Sequence, residues 1–275
     1  MASIPQQIKL FSQKHDQLLT GLTRNIERGI AEVYSDFISK FKTTLAKGSK
    51  EEILKLKDAL PAMLEIDGLL EQAGLSRVVA EYRASFATIA KDSLEYFAIF
   101  GGDTSLKGID PDVLNAIIDL HTSEVLSAAT RELRDPLERA IISTTIGSKP
   151  RAAALSEIFE FADTLTFGQV TTVVDTTFSM FSRQVRQEKA ADLDLAYQIY
   201  IGPEDSKTRP ACLALLSDGL GNGGNIWLDS EISADMVDGL IGDPRIFGGG
   251  YNCRHAFYPI SEILAEQEGV DVSGI

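Results

Sequence analysis

Ile26, Ile30, Val33, Phe37, Phe41 and Leu45 follow one another at intervals of three and four residues. At 3.6 residues per turn such positions fall on one stripe of a helix, whereas a strand, with its period of two, scatters them over both faces. A long, one-sided helix is therefore expected from Gln6 to about Leu45. Lys47-Gly48 stops it, and Ser49-Lys50-Glu51-Glu52 then has the form of a capping box, in which the serine and the glutamate satisfy each other's helix-start donors. A second helix should reach Gln72, kinked or split by Pro61. Gly74 breaks it, Ser76 caps a third helix through Val79, Tyr82, Phe86, Ile89 and Tyr96, and Gly101-Gly102 ends that one.

Further helix starts are marked by proline. Asp110-Pro111 reads as an N-cap followed by proline at the first helical position, where its missing N–H costs nothing, and Asp135-Pro136 repeats the signal. Val113, Ile117, Leu120 and Leu126 predict a helix through Arg134, with a shorter one from Pro136 to about Thr145. Pro150 opens another through Ile158 and Phe161. A last helix covers Phe167 to Lys189, although Val170 to Thr177 is rich in β-branched residues that favour strands. Near Ala191 the pattern changes: Leu195 to Ile201 reads as a strand, and residues 199–275 hold 12 of the 22 glycines. The expected fold is mainly α, a helical body over residues 1–190 joined to a small loop-rich α+β module over residues 191–275. Sub-boundaries in the body fit residues 101–110 or 146–150.

Net charge narrows the function. The chain carries −14 with a pI near 4.7, which argues against a general nucleic-acid coat. Residues 1–50 run the other way, with eight cations against four acids, so the N-terminal helix suits an acidic partner or DNA, or is simply a solvated face. No apolar run is long enough to span a bilayer, and the N-terminus lacks the basic start and apolar stretch of a secretion signal. Two cysteines make no disulfide framework and fit synthesis in a reducing cytoplasm.

Both cysteines and one of the three histidines fall in two segments of the module. These are Gly202-Pro203-Glu204-Asp205-Ser206-Lys207-Thr208-Arg209-Pro210-Ala211-Cys212 and Gly248-Gly249-Gly250-Tyr251-Asn252-Cys253-Arg254-His255-Ala256-Phe257-Tyr258-Pro259-Ile260. Pro210 suits the start of a short helix with Cys212 in its first turn, and the glycines permit positive φ and close approach. The two segments are expected to meet in space.

Here the sequence resembles the Mu protein F-like minor head proteins, or head-morphogenesis proteins, of tailed bacteriophages. Asp205, Thr208-Arg209-Pro210, Cys212 and the run Gly249-Gly250-Tyr251-Asn252-Cys253-Arg254-His255 with Pro259 behind it carry the resemblance, over about 65 residues. This chain has Asn252-Cys253-Arg254-His255 where the commoner family ending places His-Pro before Cys-Arg-Cys. The resemblance implies a low-copy virion component at the portal vertex or inside the head, acting in assembly, packaging or genome delivery.

Three chemical readings compete for the cluster. Cys212, Cys253 and His255, with Asp205 as a fourth group, are weak candidates for zinc, because Cys-x-His falls short of the usual ligand spacing. A Cys212–Cys253 disulfide formed after release is a second reading. The preferred one is a packed knot of buried thiols in which Arg209, Arg254 and Asp205 exchange charge-assisted hydrogen bonds, with no metal, no cofactor and no catalytic residue. A Cys253-His255-Asp205 hydrolase triad is the enzyme alternative. Gly219 to Asn225 is read as a surface loop, Trp227 as the anchor of the small core, His15 and His121 as ordinary helix residues, and Asp229, Glu231, Asp235 and Asp238 as a solvated acidic face.

The function expected from this reading is a phage structural protein, made in the host cytoplasm and built into the virion as an oligomer with portal, head or neck proteins. Ile26, Ile30, Val33, Phe37 and Phe41 are expected to dock the N-terminal helix into a partner's groove. DNA contact through the same basic helix is a further alternative, and no membrane contact is expected.

Overall fold

The computed structural model describes residues 4–46, 54–146, 149–164, 168–236, 242–250 and 253–273. The chain is mainly α, with a small three-stranded antiparallel sheet in its C-terminal region. Among the described residues the helices are α1 (Ile4–Leu45), α2 (Leu56–Leu64), α3 (Ile66–Gln72), α4 (Leu75–Glu95), α5 (Pro111–Ile146), α6 (Arg151–Asp163) and α7 (Gly168–Asp192). Strand β1 (Tyr197–Ile201), α8 (Pro210–Ser217), β2 (Ile226–Leu228), α9 (Pro244–Phe247), β3 (Ala256–Ile260) and α10 (Glu262–Gln267) follow. No helix among the described residues is long and apolar enough to cross a membrane.

Several local expectations are met and others corrected. The stop at Lys47-Gly48 and the box from Ser49 to Glu52 lie outside the described residues. The split expected at Pro61 falls one turn later, at Glu65, whose N–H reaches the Pro61 carbonyl at 3.1 Å. Ser76 does not cap α4: the helix already begins at Leu75, behind Gly74 with φ +99°, and the Ser76 hydroxyl turns to the Glu71 carboxylate. Asp110 does cap α5, accepting from the Asp112 N–H at 2.9 Å. The break expected at Asp135-Pro136 is absent, and α5 continues to Ile146. Proline removes one hydrogen bond from the ladder, but Arg134 bridges the site to Glu138 at 2.8 Å, and buried Leu133, Leu137 and Ile141 seat the helix on both sides of it. The Val/Thr-rich start of α7 is helical. The Glu132 carboxylate accepts from the N–H groups of Gln169 and Val170 at 2.9 and 3.1 Å, satisfying two helix-start donors and complementing the dipole.

The chain forms two compact units, Met1–Gly21 with Ser85–Asp119 and Asp175–Ile275, and Leu22–Ala84 with Leu120–Val174. In the second unit Phe37 stacks on Phe41 with ring centroids 5.8 Å apart, and Ile26 and Ile30 line an apolar seam with Leu75, Val78, Tyr82 and Val125. This corrects the docking expectation. Ile26, Ile30, Val33, Phe37 and Phe41 are all buried in the chain's own core, so the stripe holds the fold together and presents no face to a partner.

In the first unit Phe86 packs edge-on against Phe178 and Phe181, and Tyr96, Tyr258 and Phe11 form a second aromatic group. The sheet has the order β2-β1-β3. The register sets Ile199 opposite Ile226 on one side, and Gln198 opposite Pro259 and Ile201 opposite Ala256 on the other. Pro259 is tolerated because β3 is an edge strand. Tyr200, Cys212, Leu215, Ile232 and Phe257 make the module's small core. Trp227 packs against it and donates from Nε1 to the Leu215 carbonyl at 3.0 Å.

Candidate functional site

The strand register brings the two marked segments together. Ile201 ends β1 opposite Ala256, the first residue of β3, so the chain leaving β1 at Gly202 runs beside the chain entering β3 through Cys253, Arg254 and His255. Pro210 begins α8, and Cys212 in its first turn is buried. The sulfur atoms of Cys212 and Cys253 lie 4.0 Å apart, both as free thiols, and one ring nitrogen of His255 completes a group whose ligand-type atoms all lie within 4.8 Å of one another.

Around this group the remaining marked residues act as fasteners. Arg254 clasps Asp205 through two bonds of 2.7 Å, and Asp205 also accepts from the Lys207 N–H at 2.8 Å. Thr208 donates to the Pro203 carbonyl at 2.8 Å and accepts from the Asp205 N–H at 3.0 Å, closing the turn. Arg209 donates to the Gly249 carbonyl. Gly249 and Gly202 are required for space: a Cβ on Gly249 would stand 2.8 Å from the Cys212 sulfur, and one on Gly202 would stand 2.1 Å from the His255 ring. Gly250 sits at φ +92°. The Pro259 carbonyl accepts from the buried Tyr96 hydroxyl at 2.6 Å. Tyr251 and Asn252 lie outside the described residues, as does Asp238 of the acidic run; Asp229 of that run is paired with Arg245.

The electrostatics are those of an enclosed cluster. Cys212 and Cys253 share a hydrogen bond that holds the Cys253 thiol well below the usual thiol range and pushes Cys212 above it; His255 and the Arg183 charge reinforce the shift at Cys253. Arg183, itself buried, donates to the carbonyls of Ile246, Cys253 and His255 at 3.1, 2.8 and 3.0 Å and so fixes the approach to β3. The Arg254 fork, together with the Lys207 N–H, holds the Asp205 carboxyl below the usual carboxylate range. His255 is 2% exposed, stacks on Tyr200 at 5.6 Å, and leaves its buried Nε2 without a hydrogen-bond partner. Asp205 therefore serves Arg254 and does not orient His255, which removes the carboxylate from the alternative triad.

A second polar cluster lies in the same unit. His15, expected as an ordinary helix residue, is buried, with Nδ1 2.6 Å from Asp92 and Nε2 2.5 Å from the Ser182 hydroxyl. Arg186, fully enclosed and lying 4.7 Å over the Tyr258 ring, donates to the same hydroxyl at 2.6 Å, and Ser93 bonds it at 3.1 Å. Ser182 is saturated and 1% exposed, so the group ties helices together and offers no nucleophile. Asp16, Leu19, Ser179, Cys253 and Arg254 line a neighbouring cavity of about 220 Å³. Only the α7 share of the cluster leaves a mark in the sequence, Ser182, Arg183 and Arg186 falling on one side of the helix; its partners His15 and Asp92 come from other helices.

No family model, no characterised protein and no solved structure matches the chain. Of the cations in the first fifty residues, Lys40 pairs with Asp36 and Lys42 with Asp163, while Lys9, Lys14, Arg24 and Arg28 are exposed.

Proposed function

We infer that the chain is a structural component of a tailed-phage particle, a minor head or head-morphogenesis protein. It acts at the portal vertex or head–tail junction in assembly, packaging or genome delivery. One observation carries the reading. The two segments that bear the resemblance, 41 residues apart at their cysteines, fold against each other into one fastened unit in which nearly every marked side chain has a structural task. A motif whose residues close turns, clasp one another and fill a core is explained by shape. Burial of Cys212 and His255 supports this reading over a hydrolase, which needs its nucleophile and base open to substrate.

The test is location. Particles purified from cells infected with the phage that encodes the chain are expected to hold a few copies of it, cross-linking to the portal ring. Finding it only in the soluble lysate, absent from heads and head precursors alike, would end the proposal.

A further inference from the structure

The geometry points to a Zn²⁺ site formed by Cys212, Cys253 and His255. The inference stands on the cluster itself and does not depend on the role in the particle. Tetrahedral zinc with Zn–S near 2.3 Å and Zn–N near 2.0–2.1 Å sets its ligand atoms about 3.5 to 3.8 Å from one another. The two sulfurs, at 4.0 Å, are within a few tenths of an ångström of that spacing, and the imidazole nitrogen falls inside the same 4.8 Å envelope. A disulfide requires about 2.05 Å, so those sulfurs would have to close by about half their separation.

Two further observations favour a metal. The His255 Nε2 is buried with no hydrogen-bond partner, and a buried polar nitrogen left unpaired costs about 1–3 kcal/mol unless something answers it. Glycine stands at the two places where a side chain would crowd the group, Gly249 against both sulfurs and Gly202 against the imidazole, so the backbone packs directly on the ligand atoms and holds them in position. Charge is also consistent. Two thiolates neutralise Zn²⁺, so the guanidiniums of Arg183 and Arg209 face a cluster of zero net charge and stabilise its thiolates. The thiol protons pass to solvent on binding, and solvent from the cavity that Cys253 lines supplies the fourth ligand. The metal would join α8 to the entry of β3 and act as a structural tie.

The experiment uses the full chain, purified under reducing conditions without chelator, loaded with ZnCl₂ and dialysed against metal-free buffer, then repeated with Co²⁺. About one zinc per chain is expected by mass spectrometry of the metal, and the cobalt form should show tetrahedral d–d bands with a thiolate charge-transfer band. Cys253→Ser should lower zinc affinity by about tenfold or more and diminish the charge-transfer band. Chelator should lower the melting temperature of the wild-type protein. Zinc below about 0.1 per chain with both thiols freely reactive in the folded wild-type protein overturns the inference, as does a Cys212–Cys253 disulfide in protein taken directly from a reducing cytoplasm. The wild-type cobalt spectrum decides the matter alone if the variant does not fold.

Discussion

His15 makes acid stability the most direct test of the packing in the first unit. Burial, with the charges of Arg186 and Arg183, lowers its pKa from 6.5 to about 4, against the opposing pull of its hydrogen bond to Asp92. The folded state therefore keeps His15 neutral while the unfolded chain takes up a proton from pH 6.5 downward. Stability from this residue is complete above 6.5 and is lost as pH falls to about 4, a difference worth about 3 kcal/mol at about 1.36 kcal/mol per pKa unit. Asp16, next in sequence, works in the opposite sense. Burial against the cavity raises its pKa from 3.8 to about 6, so it adds stability as pH falls through that window, by an amount that its exposure to water reduces. The clean comparison is Asp16→Asn against Asp16→Asn/His15→Gln. Urea unfolding followed through Trp227, the only tryptophan and a member of the same unit, reports the stability of each at steps between pH 7 and 4. Asp16→Asn should lose about 3 kcal/mol more than the double variant across the window. Parallel slopes for the two would show that His15 takes its proton inside the folded protein, and the description of a buried neutral imidazole would fail.

Four further outcomes follow from the packing. Gly202→Ala should destabilise the first unit by about 1–3 kcal/mol in the same urea assay, because its Cβ overlaps the His255 ring; an unchanged midpoint refutes the close approach. Arg254→Ala and Asp205→Ala should show a double-mutant coupling below about 1 kcal/mol that fades in salt, since both partners are about two-fifths exposed. Phe37→Ala should cost about 3–5 kcal/mol by circular dichroism, and a cost under about 1 kcal/mol would return the N-terminal stripe to the surface. Pro136→Ala should stabilise α5 by restoring a ladder hydrogen bond, raising the melting temperature; a lower one would mean that the proline relieves a bend the fold requires.

Much of the secondary structure was legible because it rests on local rules. The three-and-four spacing of Ile26 to Leu45 gave α1, Asp110-Pro111 gave the start of α5, and Pro210 gave α8 with Cys212 in its first turn. The failures were tertiary. Pro136 looked like a start and is an interior residue, because Leu133, Leu137 and Ile141 are buried on either side of it and outweigh one lost hydrogen bond. Strand β3 went unseen because Pro259 reads as a strand breaker unless its position at a sheet edge is known. The stripe of α1 announced its apolarity but not its cover, which α4 and α5 supply. At the site, the convergence of Cys212, Cys253 and His255 was foreseeable from their crowding into two short segments. The His15–Asp92–Ser182 group was not, since its members come from three helices spread over 167 residues.

That spread also governs how the protein must be made. His15 cannot meet Ser182 until another 167 residues have been translated, which at about 5–20 residues per second takes roughly ten to thirty seconds. Through that interval the first twenty residues can meet only the Ser85–Asp119 part of their unit, where His15 finds Asp92 and Phe11 finds Tyr96. The contacts of Phe11 with Tyr258 and of His15 with Ser182 wait for the last third of the polypeptide to arrive. Clipping either end during synthesis would thus strike the same unit, from opposite directions.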